Sequence, residues 1–567
     1  MVKKIIFLLG GVIALSTSAT AQDTINEPNK IQGRFFGGVE SNSQYYVDDP
    51  KLGDFLYEDR FRSNNYINVN YNYGRFTAGI QVEAYEKNAL LNYNPKFKGT
   101  DLATFYLDYK SEKLDITVGH FYEQFGSGLI LRTWEDRALG INNALRGGRI
   151  EFRPNNNISL KALYGRQRSG FTVSDGHIFG FDSEFYLTDY LNFEKSDLSV
   201  GASYVGRYEK TDIENPQFSE LTNAMAFRFN FFRGSFYASG EANYKTEDAV
   251  LSAQNDINGD YVKPGSAYLL NFGYTKSGLG IDVTLRRLEN MGFYSERVPE
   301  NLGDNNTSLN YNDRILNYLP GLTKQHHSNL ANIYVYQAQA NVSYLGVDKM
   351  KAGETGGQID VFYNFKKGTA LGGKYGTKVA ANVSSWYNLP GEYRFFPQEY
   401  DTKFLGVAQK YFSDYNLEVK KKLSENWRSA FYYVHQYYDK SLIEGGDVVN
   451  ADVLAFENTW AFGEKQSIRL EVEHLWADAD RKNWAGGTLE YNFNRNLSFY
   501  VWDIYNYGTD KESEKNHYYN FGGAYRFGAW RIAANYGRQR GGLVCVGGVC
   551  RFVPENTGFT LNVSTSF

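Results

Sequence analysis

Gly558–Phe567 reads GFTLNVSTSF, and its alternation decides the fold. Phe559, Leu561, Val563, Thr565 and Phe567 share one face of an extended chain, while Thr560, Asn562, Ser564 and Ser566 share the other, because successive side chains of a strand point to opposite sides. An apolar face, a small polar face and a terminal aromatic suit the closing strand of a transmembrane β-barrel, with Phe567 as its assembly signal. The edge strand of a soluble sheet alternates in the same way, so the rest of the chain has to separate the two.

The opposite end favours export. Lys3 and Lys4 precede an apolar run, Ile5 to Leu15, and the small-residue motif Ala19-Thr20-Ala21 follows. This is the pattern of a secretory signal peptide spanning residues 1–21, too short to cross a membrane as a helix. Residues 22–567 are then expected to form one outer-membrane barrel. They hold no apolar run near the roughly 18 residues that a spanning helix needs. The whole chain is also rich in the strand-forming aromatics Tyr (46) and Phe (40), which populate the interfacial girdles of membrane barrels. In lipid a chain without spanning helices can cross only as a closed barrel, since every backbone group must be paired. The net charge is −4, or −6 without Lys3 and Lys4. That provides no basic field for nucleic acid.

Period-two alternation recurs throughout. Ile67, Val69, Tyr71 and Tyr73 alternate with Asn68, Asn70 and Asn72, and Leu279, Ile281, Val283 and Leu285 alternate with Gly280, Asp282, Thr284 and Arg286. The segments run to about 10 residues, enough for a tilted strand to cross a bilayer. Short polar turns such as Gly74-Arg75, Asn155-Asn156-Asn157 and Asn494-Arg495-Asn496 alternate with longer connections such as Lys87 to Lys98, Thr246 to Gly265, Asn290 to Gly356 and Gly508 to Asn516. This predicts an all-β fold: a single antiparallel barrel of about 24 strands (range 20–24), with short periplasmic turns and long extracellular loops.

Three connections carry the candidate functional residues. The third long loop, Glu123 to Arg149, places Arg132, Glu135, Asp136, Arg137, Arg146 and Arg149 among Leu129, Ile130, Leu131, Trp134, Leu139 and Leu145. So many large apolar residues suit a loop folded into the lumen, its charges forming a pore constriction; the alternative is a structural staple of mutually satisfied ions. Asn290 to Gly356 is long enough to cap, gate or bind. It contains Asn317 to His326, then His327 and the aromatic run Ala331 to Tyr336. His326 and His327 lack nearby Asp, Glu or Cys in a ligand spacing, so no metal site is expected there. Cys545 and Cys550, the chain's two cysteines, flank Gly547-Gly548. An isolated pair in an exported chain reads as a disulfide clipping a hairpin.

Phe125 to Gly148, Leu319 to His326 and Gly541 to Arg551 resemble a family of uncharacterised Bacteroidota outer-membrane proteins, grouped as a domain of unknown function. The resemblance spans most of the mature chain. It implies a signal peptide and a barrel in the cell outer membrane, and it transfers no catalytic residues.

The leading functional expectation is a porin-like channel for small polar solutes, since inward positions carry both signs, as with Arg469 beside Glu471 and Glu473. The alternative is a structural or accessory barrel of an envelope or secretion complex, occluded by its own loops. The expected partners are outer-membrane lipid and the barrel-assembly machinery; no cofactor is expected. A TonB-dependent transporter is disfavoured because strand-like sequence begins at Ile31, leaving no room for a plug domain. None of the seven histidines sits in a motif joining a nucleophile to a base, so no enzyme is expected.

Overall fold

The structure, a computed structural model, describes residues 32–94, 96–211, 219–249, 262–298, 313–344, 346–396, 398–546 and 549–567; of 543–552 only the backbone is described. The proposed signal peptide lies outside the described residues. No helix among the described residues is long and apolar enough to span a membrane. Instead, 24 strands form one antiparallel sheet, from Arg34–Tyr46 to Asn556–Ser566. The sheet closes on itself: the first strand pairs with the last in register from Gly38 opposite Ser566 to Tyr46 opposite Gly558. Gly37 N–H donates to the Phe567 carbonyl at 3.0 Å, and Phe567 N–H returns the bond at 3.1 Å. Closure leaves no unpaired edge, the condition for placing strands in lipid.

Alternation assigns the two surfaces. Ile80, Phe105, Leu107, Ile150, Phe227, Leu285, Val472, Val501 and Leu561 are all exposed and form an apolar outer belt. Aromatic pairs rim it beside the short turns: Phe76 with Tyr109, Trp427 with Trp460, and Phe527 with Trp530. Such a belt between girdles matches a bilayer's hydrocarbon and its interfaces. The protein is therefore an outer-membrane barrel. His474 shares the parity of the exposed Val472 and packs on Trp476 at the outer surface, whereas His120 is buried against Phe105.

The predicted strand number holds. Two connections at the short-turn end, residues 187–195 and 366–376, are longer than expected. Ser169 and Thr172 are joined at the opposite end by a tight turn in which Gly170 has φ +60°. The Cys545 and Cys550 backbones face each other across a hairpin, Gly542–Val546 with Val549–Val553; their side chains lie outside the described residues.

Candidate functional site

The third long loop folds inward. Gly126 and Gly128 take positive φ (+53° and +93°), a conformation that favours glycine, and turn the chain so that Gln124–Phe125 pairs with Leu131–Arg132. Phe125, Ile130 and Leu131 are fully buried against Leu163, Ile178, Val205, Ala224 and Leu288, inward residues of the barrel wall. Each such side chain contributes roughly 1.5–3 kcal/mol of apolar burial, which outweighs exposure to a water-filled lumen.

The described parts of the long connection after Glu289 are also inside, where sequence alone left it as an outer cap, gate or binding loop. Met291, Phe293, Leu316 and Ala340 join the cluster of the third loop. Leu330, Ala331, Tyr334 and Tyr336 pack on Trp386, Phe412, Val434, Val453, Leu475 and Trp484 from a different sector of the wall. The two loops are stitched together. Arg132 N–H donates to the Leu316 carbonyl at 2.7 Å, and Tyr318 N–H to Gly128 at 2.9 Å. Asn317 Nδ2 bridges the carbonyls of Leu129 and Met291 at 3.0 and 2.8 Å. Together they make a plug within the lumen.

The predicted constriction residues divide. The Arg132 guanidinium lies 3.8 Å from the Tyr318 ring centroid and 5.5 Å from that of Trp134, a cation–π contact that locks the plug rather than lining a path. Arg137 reaches Glu40 on the first strand at 2.8 Å and Glu135 at 3.0 Å, donates to Gln81 at 3.3 Å, and covers the Tyr66 ring. Burial opposes its charge, yet Glu135 and Glu40 raise its pKa above the ordinary arginine value. Asp136 accepts from Leu139 N–H at 3.0 Å and stabilises a local turn. Two predicted residues fall outside the loop, which ends at Ala144. Arg149 is an inward strand residue paired with Glu123 at 2.7 Å. Arg146 shares the parity of the exposed Ile150 and Phe152 and is itself exposed; it lies on the outer face and takes no part in the constriction. The reason is that a one-residue displacement on a strand reverses the face.

Sequence reasoning missed the wall anchors of the second loop. His326 Nε2 meets Asp414 at 2.6 Å, and Lys324 Nζ donates to Asn416 at 3.0 Å. The Ser328 hydroxyl and Leu330 N–H both donate to Glu473. Tyr336 OH donates to Glu354 at 2.5 Å, and Glu354 in turn binds Arg286 at 2.6 Å. His327 Nε2 stands 2.9 Å from both Glu457 and Glu471. These carboxylates come from distant strands, so the carboxylate neighbours absent from the sequence around His327 are supplied by the fold. The three donor atoms lie close enough to hold a metal ion. Arg469 Nη1, however, already contacts Glu457 at 3.1 Å and Glu471 at 2.7 Å, so a guanidinium supplies the cation. Hydrogen bonds to Glu457 and then Glu471 raise the His327 pKa to about 10, against desolvation. With Nε2 protonated, its 3.1 Å approach to Arg469 is a contact between two donors, not a hydrogen bond.

Comparison with known proteins gives one family and a general likeness. The profile described as Family of unknown function (DUF6029) matches residues 1–567. No curated protein matches the chain. Among solved structures, the P pilus usher (PapC) translocation pore has a TM-score of 0.41 at 10% identity, covering 94% of this chain and 99% of that one. The siderophore receptor PirA from Pseudomonas aeruginosa has 0.38 at 8%, covering 95% and 81%. A BenF-like porin from Pseudomonas fluorescens Pf-5 has 0.34 at 8%, covering 94% and 98%.

Proposed function

The chain belongs to the family of unknown function DUF6029, and we propose that it is a gated outer-membrane pore for small polar solutes, closed in this conformation by its own two loops. The observation that carries this reading is the way the plug is held near the first strands. There Arg137 bridges Glu40, Glu135 and Gln81 through polar contacts, whereas elsewhere large apolar clusters reinforce the polar anchors of the plug. A polar seam between plug and wall can be rewetted at modest cost, since water replaces its hydrogen bonds. Residues 1–21 would be removed on export, and Cys545 with Cys550, already in register, would form the clip of the last loop.

The two apolar clusters favour a second reading, a permanently occluded barrel serving an envelope complex. Planar-bilayer recording of the refolded protein separates them. The pore reading expects stepwise ohmic currents that grow in Arg137→Ala. Silence in both proteins, together with one stoichiometric partner retained in mild detergent, supports the accessory barrel.

A further inference from the structure

Beneath the first hairpin of the plug lies a cavity of about 490 Å³ that the plug architecture does not explain. Its volume falls within the range of small-molecule sites. Gly126 and Ser127 form part of its boundary. The strands lining it contribute residues near their short-turn ends: Tyr186 closes its strand and Ser239 lies three residues after Phe236, the start of another. The cavity is therefore on the periplasmic side of the plug.

Its charges do not cancel. Glu151, Asp182, Glu184 and Glu241 face Lys161 and Arg228. Arg228 is committed to Asp182 at 2.9 Å and Glu184 at 2.5 Å. Lys161 is committed to Glu123, outside the lining, at 2.9 Å. Glu151 has its own partner in Arg153 at 2.6 Å. Glu241 forms no ion pair among the described residues, because Arg228, opposite it on the neighbouring strand, is held by Asp182 and Glu184: it is 8% exposed, its Oε2 accepts Ser127 N–H at 2.8 Å, and its Oε1 has no hydrogen-bond partner. A buried carboxylate in that state is costly unless it takes up a proton or a cation joins it. The plug approaches it closely at Gly126, where a Cβ would lie 2.7 Å from Oε2. The remaining lining is rich in groups that bind hydroxyls, including Ser159, Asn230 and Asn271.

We propose that this cavity is a periplasm-facing binding site for an amino sugar, its ammonium held by Glu241 and its hydroxyls by the surrounding Ser and Asn side chains. The proposal rests on the pore reading for its biological sense, since it names the class of solute, but binding is measurable without conduction. The test is calorimetric titration of the full refolded barrel with glucosamine and with glucose at about pH 6.5, where an ordinary amine is charged. Glucosamine should bind roughly ten- to a hundredfold more tightly, the worth of one charge-assisted hydrogen bond, and Glu241→Gln should erase that preference. Equal affinity for the two sugars, or no binding of either by the wild-type barrel, overturns the site. The wild-type comparison decides even where the variant fails to refold. Glucosamine binding with electrical silence would retain the site and reject the pore; conduction without a glucosamine preference would do the reverse.

Discussion

Replacing His327 by Gln should loosen the second loop of the plug in a pH-dependent way. The imidazolium faces Glu457 and Glu471 at 2.9 Å, with Arg469 and the Tyr432 ring beside it. Displacement of its pKa from 6.5 to about 10 corresponds, at about 1.4 kcal/mol per factor of ten, to roughly 5 kcal/mol in a site sealed from water. The side chain is 48% exposed and Arg469 shares both carboxylates, so solvent screening and competition reduce this to about 1–2 kcal/mol. Because the folded-state pKa is raised, the contribution is complete below about pH 6.5 and is lost as pH rises towards about 10. Hydrogen exchange reads it directly through Leu330, Ala331, Asn332 and Ile333, whose amides are bonded within the plug or to Glu473. At pH 6 to 7 these amides should exchange roughly 5–30 times faster in His327→Gln than in the wild type. The ratio should fall steadily above about pH 6.5 and reach one only as pH passes about 10. A ratio independent of pH, or equal to one at pH 6, would refute the latch.

Other expectations follow from the same frame. Glu354→Ala would strand Arg286, whose side chain is 1% exposed, and should cost about 3–5 kcal/mol in equilibrium unfolding by denaturant. It should also release Tyr336 OH from its acceptor. Maleimide should label neither Cys545 nor Cys550 in protein recovered from the outer membrane and both after reduction; labelling without reductant rejects the disulfide. Removing Phe567 takes away two main-chain bonds to Gly37 along with the proposed assembly signal, and should lower the yield of outer-membrane barrel several-fold in quantitative blots of membrane fractions.

The barrel was legible because period two is a local property. Ile67 to Tyr73 and Leu279 to Leu285 declare their outer faces without reference to any partner strand, and turns such as Gly74-Arg75 mark the ends. The inward course of the third loop was legible for a similar reason: Leu129, Ile130 and Leu131 have nowhere apolar to go in open water. The loop's exact end was not. Read as loop residues, Arg146 and Arg149 looked equivalent, whereas on a strand their parity sends one outward and the other inward. The anchors of the second loop were invisible in sequence because their partners are remote. Ser328 meets Glu473 across 145 positions, and His327 finds its carboxylates on two separate strands. The cavity at Glu241 was equally hidden, since its lining is assembled from strands between Glu151 and Asn271 together with the hairpin at Gly126 and Ser127.

The seam between the first and last strands also dictates an order of events. Gln44 and Asn556, which share a hydrogen bond there, are 512 residues apart. Most other strands need only the hairpin neighbour that precedes them. Pairing can therefore spread along the chain early, but the ring shuts only when its most distant contact forms, and loop-closure entropy makes that step slow. Until then two open sheet edges persist, each able to recruit foreign strands. Those edges stay exposed for as long as the seam is apart.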